Sequence, residues 1–367
     1  MTHRFLTPHA ASLPSTVPFT GPEALEREQS RPFRARLGAN ESLFGASPKA
    51  LAAMADAVSD VWMYADPESH ALKHALAARH GIGAEHIVVG GGIDGLLGLL
   101  CRLTLDHGTP VVTSLGAYPT FNFHVQGYGG TLTRVPYRGH HEDPQALLDA
   151  ARQTGARLIY LANPDNPMGS HHPAPVIEDL VANLPDHTLL VLDEAYADLA
   201  PEGTLPEIAA DHPQVIRLRT FSKGHGMAGA RVGYAITAPD LAKAFDKVRD
   251  HFGIGRVAQI GALAALDDPG WLDVVRGKVA HARARIGQIA AANGLMALPS
   301  ATNFVTVDCG RDGEYARAVL RETVARGVFI RMPGAAPLDR CIRISLGDDA
   351  ALDVLEEVLP QAIAAAG

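Results

Sequence analysis

In the stretch TFSKGHGMAGARVGY, Lys223 stands beside Ser222, is followed by Gly224 and Gly226, and has Arg231 eight positions on. An amine in such a glycine-rich turn can have a lowered pKa and form a Schiff base with a carbonyl. Ser222 and Arg231 are a small and a large phosphate donor on either side. A solvated loop lysine fits the same residues taken alone. Asp193 ends the apolar run TLLVLD, where a carboxylate is costly unless paired. A protonated pyridine nitrogen would pair with it; a plain helix cap on AYADLA is the other reading. Arg343 lies in CIRISLG, on the face of Cys341 and Ser345 if the run alternates. Its planar guanidinium could grip a carboxylate bidentately or simply face solvent.

GGGIDG places Gly90, Gly92 and Gly95 in the pattern GxGxxG. A dinucleotide fingerprint also expects an acid at the end of the next strand. Here that strand ends in Thr113, Ser114 and Leu115, so a nicotinamide dehydrogenase is disfavoured. Backbone N–H groups at a helix start still suit a phosphate, and a tight strand-to-helix turn is the plain alternative. His70 and His74, His140 and His141, and His171 and His172 form pairs, but no HExxH or third ligand accompanies them. They read as surface residues, and no metal is expected. No GxSxG elbow supports a serine hydrolase.

The elements that position these residues follow from the apolar pattern. SPKALAAMADAV opens on an N-cap serine with Pro48 at the first helical position, and HALKHALAARHG is a helix ended by glycine. HIVVGGG, TPVVTSL, ARLIYLAN, TLLVLDEAY and VIRLRTFSK are short apolar runs separated by helices, which predicts a mostly parallel sheet covered on both faces. Open α/β sheets bind ligands beyond the carboxyl ends of their strands. GGGIDG, NPDNPMG, DEAY and SKG all fall at such ends. Beyond about 240 the chain turns helical. It closes with the strands TNFVTVDCG, GVFIRMPG and DRCIRISLG around the helix EYARAVLRETVARG, a smaller α+β unit. The fold class is therefore α/β and doubly wound. An N-terminal arm is expected over 1–40, a large domain over 41–245 and a small domain over 246–367.

Composition bounds the function. With 367 residues, 47% hydrophobic and 20% charged, the chain is an ordinary globular protein of one large or two medium domains. The net charge of −8 and the lack of a basic run argue against nucleic acid. Cys101, Cys309 and Cys341 are far apart, which suits a reducing compartment better than a disulfide framework. Neither a signal-peptide core nor an 18-residue apolar stretch is visible, so a cytoplasmic protein is expected.

ANES, YADPES, GGGIDG, YPTFNF, NPDNPMG, DEAY, FSKGHGMAGARVGY and RISLG, in this order from about Arg36 onward, resemble the fold-type-I pyridoxal-phosphate (PLP) enzymes of the class I/II aminotransferase family. Within it the chain looks most like the histidinol-phosphate aminotransferases. The resemblance implies that Lys223 bonds the cofactor and shifts protons, and that Asp193 keeps the pyridine nitrogen protonated. Asn166 and Tyr196 would bond the ring 3′ oxygen, with Ala195 on one ring face and Phe121 on the other. Gly92, Ile93, Ser222 and Arg231 would hold the phosphate. Tyr64 would reach a partner subunit's phosphate, implying a homodimer. Arg343 would hold the substrate carboxylate, and Asn40 and Glu41 would close over the substrate. The implied activity moves an amino group between L-histidinol phosphate, or a related amino acid, and 2-oxoglutarate.

Departures from the family pattern widen the choice of substrate. NESLFGASP replaces the frequent NENP, Ala65 follows Tyr64 where proline is common, and GHG follows the lysine where relatives often carry a larger apolar pair. HFGIGR brings Arg256 forward as a contact for an anionic substrate side chain. Three alternatives accompany the main reading: an aromatic or broad-specificity aminotransferase, a PLP decarboxylase of an amino-acid phosphate, and a non-catalytic protein of the same fold.

Overall fold

The computed structural model describes residues 4–15 and 19–367. Its centre is a seven-stranded sheet in the order Ile87–Gly90, Gly233–Ile236, Val215–Thr220, Leu189–Asp193, Leu158–Ala162, Pro110–Ser114 and Thr131–Val135. All strands run parallel except Gly233–Ile236, which is antiparallel to both neighbours. Every residue of Ile87–Gly90 and Leu158–Ala162 is buried. Such two-sided burial explains why these strands read as unbroken apolar runs. The two strands without such a run are Thr131–Val135 and Gly233–Ile236. The first is a sheet edge that buries only Val135; the second is four residues long and begins two residues after Arg231.

Helices cover both faces. Gly92–Thr104 starts two residues after its strand ends and buries Ile93, Leu96, Leu97, Leu100 and Cys101. Ser47 caps Pro48–Ala57, its hydroxyl accepting from the Ala50 N–H at 3.0 Å. Gly81 ends His70–His80 at φ 65°, the left-handed conformation that glycine adopts without penalty.

The smaller unit holds an antiparallel sheet of Met296–Ala297, Phe304–Asp308 and Cys341–Ser345, packed against the helices Pro269–Ala292, Gly313–Ala325 and Asp349–Ala366. In GVFIRMPG only Val328–Phe329 forms a strand, and it pairs in parallel with Ala35–Arg36 of the arm. Ala35 and Leu37 lie in the same core as Val305, Ile344 and Leu355. The end of the arm is thus built into the small domain. Ile254, Ala262 and Ala265 pack with Ile87, Val89 and Tyr234 of the large sheet. The helix Arg256–Leu266, beyond the expected division at 245/246, packs through Ala262 and Ala265 against residues of the large sheet. No helix among the described residues is long and apolar enough to cross a membrane.

Candidate active site

The carboxyl ends of the parallel strands open onto one cavity of about 230 Å³, lined by Asp193, Tyr196, Ser222, Lys223 and Arg231 among others. It adjoins a wider cavity of about 820 Å³ that Lys223 and Arg343 also line. Five residues singled out from different stretches of sequence thus face one space, as strand-end placement in a parallel sheet requires.

Lys223 follows the strand Val215–Thr220, and part of its side chain stays open to the cavity. Its Nζ donates to the Asn40 carbonyl at 2.9 Å and lies 5.8 Å from the Tyr196 ring centroid. Burial, then the positive charge of Arg343, pushes its pKa down to about 8. Asp193 is 5% exposed. Its Oδ2 accepts from the Tyr160 hydroxyl at 2.7 Å and its Oδ1 from the Ala195 N–H at 2.9 Å. Burial raises its pKa to about 6, against the pull of those two donors and of Lys223. The next residue, Glu194, points the other way, as strand alternation demands, and is neutralised by Arg217 at 2.7 Å and Arg219 at 2.8 Å.

Arg343 comes from the small domain. It donates from Nη1 to Asn166 Oδ1 and from Nη2 to the Gly38 carbonyl at 3.3 Å. Its guanidinium carbon lies 5.1 Å from the Phe304 ring centroid. Its buried Nε has no hydrogen-bond partner among the described residues. Burial lowers its pKa to about 10, still far above neutrality. Asn40 joins the domains: its backbone N–H donates to Ser345 Oγ at 2.9 Å, its Nδ2 donates to the Tyr196 hydroxyl at 3.2 Å, and Asn303 Nδ2 donates to its carbonyl at 2.9 Å. Glu41, the next residue, lines the first cavity.

At the other end of that cavity, Arg231 donates to Ser222 Oγ at 3.4 Å and to the Gly91 carbonyl at 3.3 Å. Gly92 has φ 75°, and a Cβ there would stand 2.4 Å from Arg231 Nη2. Glycine is therefore favoured by conformation, and a Cβ there would push the guanidinium aside. Ile93, one residue on, lines the cavity at the helix start, where backbone N–H groups favour an anion. Ala195 lines it too.

Phe121, Tyr64 and Arg256, all expected at the site, line neither cavity. Phe121 is wholly buried behind the smaller one, stacked on Tyr160 with centroids 4.6 Å apart and planes 17° apart. Tyr118, three residues earlier in the same YPTFNF stretch, lines the cavity instead. The helix Pro119–Gly127 turns Phe121 inward toward the core, whereas the residue preceding it stays at the rim. Tyr64 is 76% exposed, stacked on Phe252 at 4.4 Å. Arg256 donates to the Tyr64 carbonyl at 2.8 Å, so these two residues share a separate surface. Tyr160 and Arg331 went unnoticed in the sequence. Arg331 lines the wider cavity, sits between Phe19 and Phe329 and donates to the Thr20 carbonyl at 2.9 Å. Its position after the strand Val328–Phe329, facing Arg343 across a backbone bridge, was the available signal.

The residues 35–359 match the family described as Aminotransferase class I and II. The histidinol-phosphate aminotransferase of Anaeromyxobacter sp. (strain Fw109-5) is 36% identical over 349 residues, covering 93% of this chain and 94% of its own. Histidinol-phosphate aminotransferase 2 of Carboxydothermus hydrogenoformans is 32% identical over 337 residues, covering 90% and 91%. The crystal structure of histidinol-phosphate aminotransferase from Sinorhizobium meliloti in complex with pyridoxal-5'-phosphate superposes with a TM-score of 0.97 at 53% identity, over 100% of this chain and 99% of that one. With matches along nearly its whole length, the chain belongs to the class I and II aminotransferases.

Proposed function

We propose that this chain is a PLP-dependent transaminase that moves an amino group between L-histidinol phosphate, or a related amino donor, and 2-oxoglutarate. The observation that carries the reading is the meeting of Lys223, Asp193 and Arg343, from two domains, at adjoining cavities whose far end is lined by Ser222 and Arg231. The donor set fits the cofactor. Gly92 leaves room that a Cβ would fill, Arg231 and Ser222 supply phosphate donors, and the Asp193 carboxylate suits a cationic ring nitrogen. Asn166 and Tyr196 would serve the ring hydroxyl, with Ala195 and Tyr118 as the candidates for its two faces.

When bound, PLP supplies an aldehyde and an electron-withdrawing ring that absorbs charge from the substrate α-carbon. Lys223, with a pKa near 8, has a neutral fraction at pH 7 that can attack a carbonyl and afterwards carry a proton on Nζ. Asp193 holds a proton on the ring nitrogen by its negative charge. Arg343 orients the substrate through its guanidinium, and an anion there would satisfy its unpartnered Nε. L-Histidinol phosphate has a phosphate ester where glutamate has its α-carboxylate, so one anion grip must serve both. Arg343 and Arg331 line one cavity and offer such a grip.

A homodimer belongs to the same proposal. Val61, Trp62, Tyr64 and Phe252 are exposed apolar side chains near Arg256. A second copy covering them would let Tyr64 and Arg256 complete its site. Three free, buried cysteines suit a reducing compartment such as the cytoplasm. Absorbance of the purified protein tests the reading. L-Histidinol phosphate should bleach the visible cofactor band and 2-oxoglutarate should restore it; a protein that takes up no PLP overturns it.

A further inference from the structure

We infer that Tyr160 is a positioning residue: its hydroxyl, given to Asp193 and held in place by the ring of Phe121, keeps the Asp193 carboxylate charged and aimed into the cavity. The inference rests on the transaminase reading and extends it to Tyr160, a buried residue in the wall of the cavity. Asp193 receives two hydrogen bonds at its carboxylate from the described residues, from the Ala195 N–H and from Tyr160. The first comes from the backbone of the same turn and restrains only Oδ1. The second crosses from the neighbouring strand Leu158–Ala162 and pins Oδ2, which sets the carboxylate plane.

The surroundings make this donor matter. Burial disfavours the charged form of Asp193 more than any other influence. Lys223 faces it from the turn after Val215–Thr220 and helps, but that amine is consumed in bonding the cofactor. Glu194, beside it, is occupied by Arg217 and Arg219. Glu142 lies below, bonded by Ser114 Oγ at 2.5 Å and the Ala162 N–H at 2.9 Å, and burial holds its own pKa well above the usual carboxylate range. Tyr118 and Tyr196 complete the groups that face this corner, and burial raises both phenols, so they stay neutral. Tyr160 is thus the one side-chain hydrogen-bond donor to Asp193 among the described residues. The Phe121 stack explains why an aromatic ring occupies a position that does not reach the cavity: it leaves the Tyr160 ring no room to swing.

The test compares wild-type holoenzyme with Tyr160→Phe, which removes one oxygen and leaves the stack. PLP retention is measured by equilibrium dialysis across pH, with thermal melting as a check on folding. Tyr160→Phe should retain PLP roughly tenfold less tightly at pH 7.5. The donated bond favours the carboxylate, so its loss raises the Asp193 pKa, and the acid-side loss of PLP should begin about one pH unit higher. Phe121→Leu keeps the hydroxyl but frees the ring; it should shift both readouts in the same direction by less. A folded Tyr160→Phe with wild-type retention and an unmoved acid limb overturns the inference. If Tyr160→Phe does not fold, unchanged retention in Phe121→Leu overturns it. A wild-type protein that binds no PLP defeats the transaminase reading itself, whereas a loaded wild type matched by both variants defeats only the role of Tyr160.

Discussion

Lys223 combines a chemical task with a cost to the fold. Its folded pKa near 8 lies below the 10.5 of a free lysine, so between those values the unfolded chain binds more protons and stability rises with pH. Below pH 8 the burial penalty is present in full. Cofactor-free Lys223→Met should therefore melt roughly 2 °C above wild type at pH 7. The gap should close toward pH 10.5, and calorimetry at several pH values checks it; the variant should also lose transamination. Arg343 makes a different demand. Lysine keeps the charge but not the planar fork. Arg343→Lys should lower kcat/KM by roughly 100-fold for glutamate, as expected when a bidentate ionic contact is lost, while leaving the melting temperature within a few degrees. Much of this level was legible beforehand, because polar motifs gather at four strand ends and in their order resemble the aminotransferases, although Lys223 or Asp193 taken alone also fits a plain loop lysine or a helix cap. Phe121 and Tyr118 were not distinguishable, since which of two aromatics faces a cavity depends on the helix they begin.

At the scale of elements, strand ends and helix starts do the positioning. Gly92 opens its helix in the left-handed conformation against the Arg231 guanidinium. Gly92→Ala should displace that guanidinium and strain the turn by about 1–2 kcal/mol. We expect PLP retention to fall roughly tenfold by dialysis, and retention equal to wild type would remove the cradle argument. Five strands were legible as apolar runs because burial on both faces erases alternation. The edge strand Thr131–Val135 was not, because only Val135 of its five residues is buried. The bulk of GVFIRMPG did not form the expected strand either. Its partner, Ala35–Arg36, lies almost 300 residues away and pairs over two residues only.

For the whole molecule, the apolar face around Trp62, 79% exposed in the isolated chain, makes the prediction. A patch of this kind marks an interface. Sedimentation should give a dimer for wild type and a monomer for Trp62→Glu, with activity lost alongside. Arg256→Ala should raise KM for anionic substrates selectively; an equal effect on all substrates would remove Arg256 from recognition.

The sequence by itself determined the parallel core, the strand-end placement of Lys223, Asp193 and Asn166, and the glycine turn that opens the helix Gly92–Thr104. Each follows from local patterns: apolar runs, glycine where backbone must come close, polar residues where strands stop. Only the tertiary structure decided that Asn40 and Arg343 meet those strand ends, that Tyr160 stands behind Asp193, and that Tyr64 and Arg256 face away. These are contacts between segments up to about 300 residues apart, and no local pattern encodes which distant side chain a folded core will bring within 3 Å.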